Sequence, residues 1–394
     1  MMSAVLSNPD HPEYGVATIP FPVPRDQYTY CMDLLEALEI GDTVKADCKM
    51  EKVDSFYTVL KRVEMLTVNV EELNYPAKRL ESFDTGEAAQ FQAMAHKLEL
   101  FELKDLINLT FCCQQATVIT DFSDLAAIGR DHYMNLHGGC ASVDELNKLD
   151  GKEIARQLIE SGSGTVTPYG VVYDNGMKLE QVYDGRFFPC YYYKPNAITV
   201  AVTSKAEPEG TEHITWLFLP MVQEEIDRAF LRGGITDPAD VRLRLEDSQF
   251  PNEVDVLLDM EYETLSDLNE LAAATDGLSN ADMEKLGAVV TLAKPKSAAQ
   301  IKNLAESLDL FDLAPGAHTP QEYGKYMIQQ SGRFDYDENL DAFYDYEKYG
   351  TERMNAEDGM FTDRGYIAYK GYYSMEEVMN GDQSSHMVLG GLSR

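Results

Sequence analysis

The chain is short of positive charge. Its 394 residues hold 33 lysines and arginines against 67 aspartates and glutamates, a formal net of −34. A surface of that sign repels nucleic acid and anionic membranes, so its natural partners carry basic surfaces. Chemistry-bearing patterns are also scarce. No GxxxxGK[ST] or GxGxxG occurs, and "SGSGTVTPYG" fits neither, which leaves nucleotide binding without support. Six cysteines include one adjacent pair, Cys112 and Cys113, and no CxxC. That argues against both a disulfide framework and a zinc site, and a reduced cytoplasm fits best. Seven histidines show no HExxH or paired spacing. Apolar runs end at stretches such as "ITWLFLPMV", 214–222, far below the roughly 20 residues a spanning helix needs. "MMSAVLSNPDHPEYG" has no basic or apolar region of a secretory signal.

Aromatics are plentiful, with 23 Tyr and 16 Phe, which separates this chain from acidic disordered ones. The length suggests two or more domains, and the chain repeats itself. Shifted by 195 positions, "EELNYPAKRL" aligns with "SDLNELAAAT", matching Leu73, Asn74 and Ala77 to Leu268, Asn269 and Ala272. The same offset pairs Asn108 with Asn303, Gly129 with Gly324, and Thr167 and Gly170 with Thr362 and Gly365. With a slip of three more residues, "IPFPV" at 19–23 resembles "LFLPM" at 217–221. The sequence therefore reads as α+β, an elongated chain of small subdomains in two tandem units. Each unit has a small mixed sheet, a short helical bundle and a C-terminal α+β part, at 1–69, 70–134 and 135–204, then 205–263, 264–318 and 319–372. A flexible tail is expected at 373–394. Helices are expected near 70–82, 86–98 and 102–111, and again near 265–276, 280–292 and 297–308. Thr319 is a plausible N-cap with Pro320 at the first helical position.

Two stretches concentrate the acid. In "NEVDVLLDMEYET", 252–264, alternation predicts a strand with Glu253, Asp255, Asp259, Glu261 and Glu263 on one face. In "FDYDENLDAFYDYEKYG", 334–350, six carboxylates stand among six rings with one lysine, Lys348. They are Asp335, Asp337, Glu338, Asp341, Asp345 and Glu347. A helix entered near Asn339 would place Asp337, Asp341 and Asp345 on one face, with Phe343, Tyr346 and Tyr349 buried behind it. Duplex DNA carries one charge per about 1.7 Å, so the whole net charge equals that of roughly 58 Å, or about 17 base pairs. The acid is unequal between halves, with 17 basic and 30 acidic residues in 1–200 against 16 and 37 in 201–394.

Competing motifs fail on particular residues. An EF-hand loop starting at Asp335 would need Gly at its sixth position and Glu at its twelfth, where Leu340 and Tyr346 stand. "NLHGGCAS" brings His137 near Cys140, but a glycine-rich turn with a buried thiol is the expectation. "VYDGRFFPCYYY" reads as sheet core, since no basic groove accompanies its rings. Nothing selects a carboxylate pair for hydrolysis.

"LSDLNELAAATDGLS" (265–279), "FYDYEKYGTERM" (343–354) and "GMFTDRGYIAY" (359–369) resemble the middle and C-terminal parts of the antirestriction protein ArdA family. The resemblance implies a non-enzymatic DNA mimic of small α+β modules. Such proteins occupy the DNA-binding site of type I restriction-modification enzymes and protect an incoming mobile genetic element such as a conjugative transposon. It implies no cofactor, no metal, no nucleic acid and no membrane. It also implies a homodimer or, at this length, a single-chain pseudo-dimer. The alternatives are a hydrolase or metal-dependent enzyme with an unrecognised carboxylate pair, and an acidic interaction scaffold of a conjugative element. The eleven acids named above are the candidate partner-binding residues.

Overall fold

A computed structural model describes residues 2–208, 210 and 213–382 as an α+β protein. The first strand, β1 (Met2–Ser7), forms a sheet with β2 (Val16–Phe21), which leads into helix α1 (Tyr28–Glu36), and then with β3 (Cys48–Asp54) and β4 (Thr67–Val68). The strand order is β2-β1-β3-β4. Buried Ala4 and Leu6 face Ile19 and Ala17 across the antiparallel β1/β2 pair. Helices α2 (Val70–Glu81), α3 (Thr85–Lys97) and α4 (Leu103–Leu109) follow, and Leu73, Leu80, Phe91 and Met94 join the sheet in one core. The third part comprises β5 (Thr117–Ile119), α5 (Leu125–Leu136), α6 (Val143–Lys148), α7 (Gly151–Glu160), β6 (Thr165–Thr167) and β7 (Gly170–Tyr173), with strand order β5-β7-β6.

The same plan follows with β8 (Ile198–Ser204), β9 (Thr215–Leu219), α8 (Gln223–Gly233) and β10 (Val241–Ser248), in a sheet of order β10-β8-β9. After the short α9 (Asn252–Asp255) come α10 (Leu265–Thr275), α11 (Asn280–Ala293) and α12 (Ala298–Ala305). The last part holds β11 (Phe311–Pro315), α13 (Pro320–Gln329), α14 (Tyr346–Asn355), β12 (Asp358–Thr362), β13 (Gly365–Tyr369) and α15 (Met375–Met379), with strand order β11-β13-β12.

By internal contacts the chain falls into two units, the first comprising 1–194, 213–215 and 222–239, the second 195–212, 216–221 and 240 onward. This differs from a cut at 204/205 in two respects. β8 opens the second unit because it is the centre of its sheet, as β1 is of the first. Helix α8 groups with the first unit because its arginines bond there. Arg228 donates to Glu71 Oε1 at 2.8 Å and to the Gly41 carbonyl at 2.9 Å. Arg232, only 5% exposed, donates to the carbonyl of Thr43, to Asn69 Oδ1 and to the Tyr183 hydroxyl.

Residues paired by the 195 offset do the same work in each unit. Asn74 Oδ1 accepts the Val23 N–H at 2.9 Å, and Asn269 Oδ1 accepts the Met221 N–H at 2.8 Å. The preceding Phe21–Pro22 and Leu219–Pro220 bonds are both cis. Asn108 donates to the Tyr183 carbonyl at 3.0 Å and Asn303 to that of Met379 at 2.8 Å. Thr167 and Thr362 each donate to the carbonyl three residues on, Gly170 and Gly365, at 2.8 Å.

Two helix crossings depend on glycine. A Cβ at Gly129 of α5 would lie 1.8 Å from the Gly151 carbonyl oxygen of α7. A Cβ at Gly324 of α13 would lie 2.0 Å from the Tyr346 oxygen of α14, and one at Gly350 would lie 1.8 Å from the Pro320 oxygen. Only a hydrogen at these positions lets the backbones approach so closely.

Three expectations are corrected here. The span 373–394 does not begin as a loose tail: α15 lies within it, and Val378 is fully buried. Residues 383–394 lie outside the described residues. "VYDGRFFPCYYY" holds no strand. Phe188 instead stacks between Tyr75 at 4.5 Å and Tyr183 at 5.0 Å, so the rings pack on one another and not into a sheet. The "NLHGGCAS" turn forms with Gly138 and Gly139 at positive φ, but Cys140 is exposed.

Candidate partner-binding surface

The stretch 252–264 is not a strand. Pro251 precedes the single-turn helix α9, and turns continue to Thr264. Val254 and Leu258 are buried, while Val256 and Tyr262 are 76% and 78% exposed. Apolar residues four apart therefore go inward, a helical spacing that overrides the alternation. The expected ladder of five carboxylates is lost with the strand.

Each acid of that stretch takes its own position. Glu253 grips Arg364 through both oxygens at 2.8 Å, and this bond holds its carboxyl below the usual range. Asp255 is half-buried, its Oδ1 has no hydrogen-bond partner, and burial pushes its pKa up. Asp259 is exposed and accepts the Glu261 N–H at 3.1 Å. Glu261 is exposed. Glu263 accepts the Ala298 N–H at the start of α12 with both oxygens at 3.0 Å, yet burial raises its pKa.

The aromatic stretch also departs from one continuous helix. A 3₁₀ turn, Glu338–Phe343, comes first, and α14 begins after Asp345. Asp337 caps the turn by accepting the Asn339 N–H at 2.9 Å. Asp345 caps α14 by accepting the Lys348 N–H at 3.0 Å. These side chains compete with helix continuity because short carboxylates bond the backbone two or three residues on. The three aspartates thus share no helix face.

Asp341 is the centre of a small network. Its Oδ1 accepts from the Tyr346 hydroxyl at 2.5 Å, the Tyr336 hydroxyl at 2.7 Å and Gln329 Nε2 at 2.8 Å. These bonds, that of Tyr346 foremost, hold its pKa low. The rings therefore stabilise this charge by donating to it, not only by packing. Phe343, expected to be buried, is 83% exposed. Tyr349 does pack, edge-on to Phe334 at 5.8 Å and against the core of Tyr323, Met327 and Tyr366. Asp335, Glu338 and Glu347 are exposed, Glu347 in the first turn of α14, where the helix dipole favours it.

Seven of the eleven acids are thus exposed: Asp259, Glu261, Asp335, Asp337, Glu338, Asp345 and Glu347. Among the described residues only Glu253 of the eleven is ion-paired. The sequence carries no local signal for Arg364, which holds Glu253 and Glu284, or for Gln329, which bonds Asp341. Gly324 is visible in it only as a repeat match, and its pairing with Gly350 is not.

Residues 208–368 match the family model for the antirestriction protein (ArdA). This segment belongs to the ArdA family. No curated protein matches the chain. The ArdA segment contains all eleven acids and carries 13 basic against 33 acidic residues, a net of −20. That is the charge of about 34 Å of duplex, or roughly ten base pairs. The ArdA match begins after β8, the central strand of its own sheet, and includes α8, which folds with the first unit. Among the described residues no helix is long and apolar enough to cross a membrane, and no group of three or more His, Cys, Asp or Glu is placed to hold a metal.

Proposed function

We propose that this chain is a non-enzymatic DNA mimic that occupies the basic DNA-binding cleft of a type I restriction-modification enzyme in the cytoplasm and so protects an incoming mobile element. The observation that carries the reading is the division of the acids within the ArdA segment. Four are engaged inside the fold, and seven remain exposed without an ion pair among the described residues. Carboxylates without counter-charges present a field that a cationic cleft recognises, steering association and fixing register. The mirrored bonds of Asn74 and Asn269, and of Thr167 and Thr362, support an internal duplication in which the second copy carries most of the mimicry.

The test is competition. The purified chain and a variant with the seven exposed acids changed to Asn or Gln are titrated against a labelled duplex bound to a type I enzyme. The wild-type chain should displace DNA with a steep salt dependence, and the variant should lose both potency and slope while unfolding at the same urea concentration. Equal potency of the two proteins would refute the reading.

A further inference from the structure

Arg364 sits in the two-residue turn between β12 and β13, and its backbone is fixed before its side chain acts. Thr362 Oγ1 donates to the Gly365 carbonyl at 2.8 Å and accepts the Arg364 N–H at 3.2 Å. The guanidinium then crosses α11 at Gly287, where a Cβ would come within 2.3 Å of Arg364 Nε. It reaches Glu253 of α9 with Nε and Nη2, both at 2.8 Å, and Glu284 of α11 with Nη1. The arginine side chain is 18% exposed. One side chain thus ties the segment after the first sheet of the second unit, the helical part, and the last sheet.

In the first unit the corresponding joint is neutral. At the 195 offset, Thr58 Oγ1 and the Tyr169 hydroxyl stand 3.0 Å apart in place of Glu253 and Arg364. Gln92 stands where Gly287 does, so no arginine could cross there. The charged, bidentate version is stronger and more directional than a hydroxyl pair. It is found in the acid-rich unit. α13 and α14, which flank the acidic run, pack on β11 and β12 of the sheet that Arg364 anchors, while Asp259 and Glu261 follow directly on α9.

We propose that Arg364 is a positioning residue for inhibition: by clasping Glu253 and Glu284 across Gly287, it holds the exposed acids at 259–261 and at 335–347 at the spacing the basic cleft requires. This rests on the mimic reading above. Gly287→Ala isolates the effect, because it changes no charge and improves helix propensity, yet its Cβ occupies the space of Arg364 Nε. Arg364→Lys, which keeps the charge but loses the fork, is the second variant.

Two readouts are needed. Inhibition of DNA cleavage by a type I enzyme gives potency. Pulsed dipolar spectroscopy between spin labels at Tyr262→Cys and Lys348→Cys, with Cys140 and Cys190 replaced by Ser, gives spacing within the second unit. Both variants should broaden the distance distribution and lose at least tenfold in potency, and Gly287→Ala combined with Arg364→Lys should lose no more than either alone. Wild-type potency in Gly287→Ala, an unchanged distance distribution, or losses that add would overturn the proposal. Failure of the wild-type chain to inhibit would sink the mimic reading and the positioning role with it, while the distance arm would still decide whether the clasp sets the spacing.

Discussion

Replacing Gly324 by Ala tests whether the α13/α14 crossing supports the acidic run. The new Cβ would lie 2.0 Å from the Tyr346 carbonyl oxygen and 2.9 Å from the Gly350 nitrogen. Ordinary contact begins near 3.4 Å, so the helices must part by about 1.4 Å. The opposing atoms are backbone, so no rotamer change relieves the clash. Overpacking costs about 1–3 kcal/mol, and with unyielding backbone on both sides the upper part of that range, about 2–3 kcal/mol, applies. Alanine returns roughly 1 kcal/mol of helix propensity, leaving a net loss of about 1–2 kcal/mol, a factor of roughly 5–30 in local opening. Amide hydrogen exchange on peptides covering α13 and α14 reads that factor directly. Inhibition should fall as well, because the acidic run 334–345 is the connection between these two helices. Gly129→Ala is the control: its Cβ meets the Gly151 oxygen at 1.8 Å, so α5 and α7 should exchange faster while inhibition stays at the wild-type level. Unchanged or increased protection of α13 and α14 in Gly324→Ala would refute the reasoning.

Asn74→Ala and Asn269→Ala each orphan one backbone N–H, of Val23 or Met221, and should each cost about 1–3 kcal/mol in urea unfolding. Asp255→Asn should raise the urea midpoint at neutral pH, because burial already disfavours that carboxylate, and the gain should shrink as pH falls through the raised pKa and vanish below the ordinary 3.8, where the acid is neutral in both states. Glu253 and Asp341 act oppositely. Their folded pKa values lie below the ordinary 4.5 and 3.8, so their stabilisation is complete above those values and lost as pH falls through the depressed ones. Urea unfolding from about pH 6 to about pH 2 should therefore lose less stability in Glu253→Gln and Asp341→Asn than in the parent. Arg232→Leu should destabilise the first unit by about 3–5 kcal/mol, since it leaves Glu72, 3.8 Å away, without its buried counter-charge.

The helices at 70–81, 85–97, 265–275 and 280–293 are legible because their apolar residues recur at helical spacing. Thr319 caps α13 as expected, accepting the Glu322 N–H at 3.2 Å. The strands β1 and β8 are not legible. β8 is a central strand buried along nearly its whole length, Thr199 and Thr203 included, so its polar residues mark no solvent face. The acid tracks fail for a related reason. Alternation at 252–264 has no neighbouring strand to complete it. In 334–347 the local bonds of Asp337 and Asp345 divide what spacing alone would make one helix. Which acids are exposed depends on cations and amides distant in sequence. Arg364 is 111 residues from Glu253, and no local pattern announces it.

Helix α8 lies inside the ArdA match, yet its arginines are received by residues 41–72 and 183. A recombination junction or deletion that discarded codons 1–194 would deliver an ArdA segment in which Arg228 and Arg232 had lost Glu71, Asn69 and Tyr183. A fragment inherited without those codons would thus carry two stranded guanidiniums on a helix that had lost the residues it folds with.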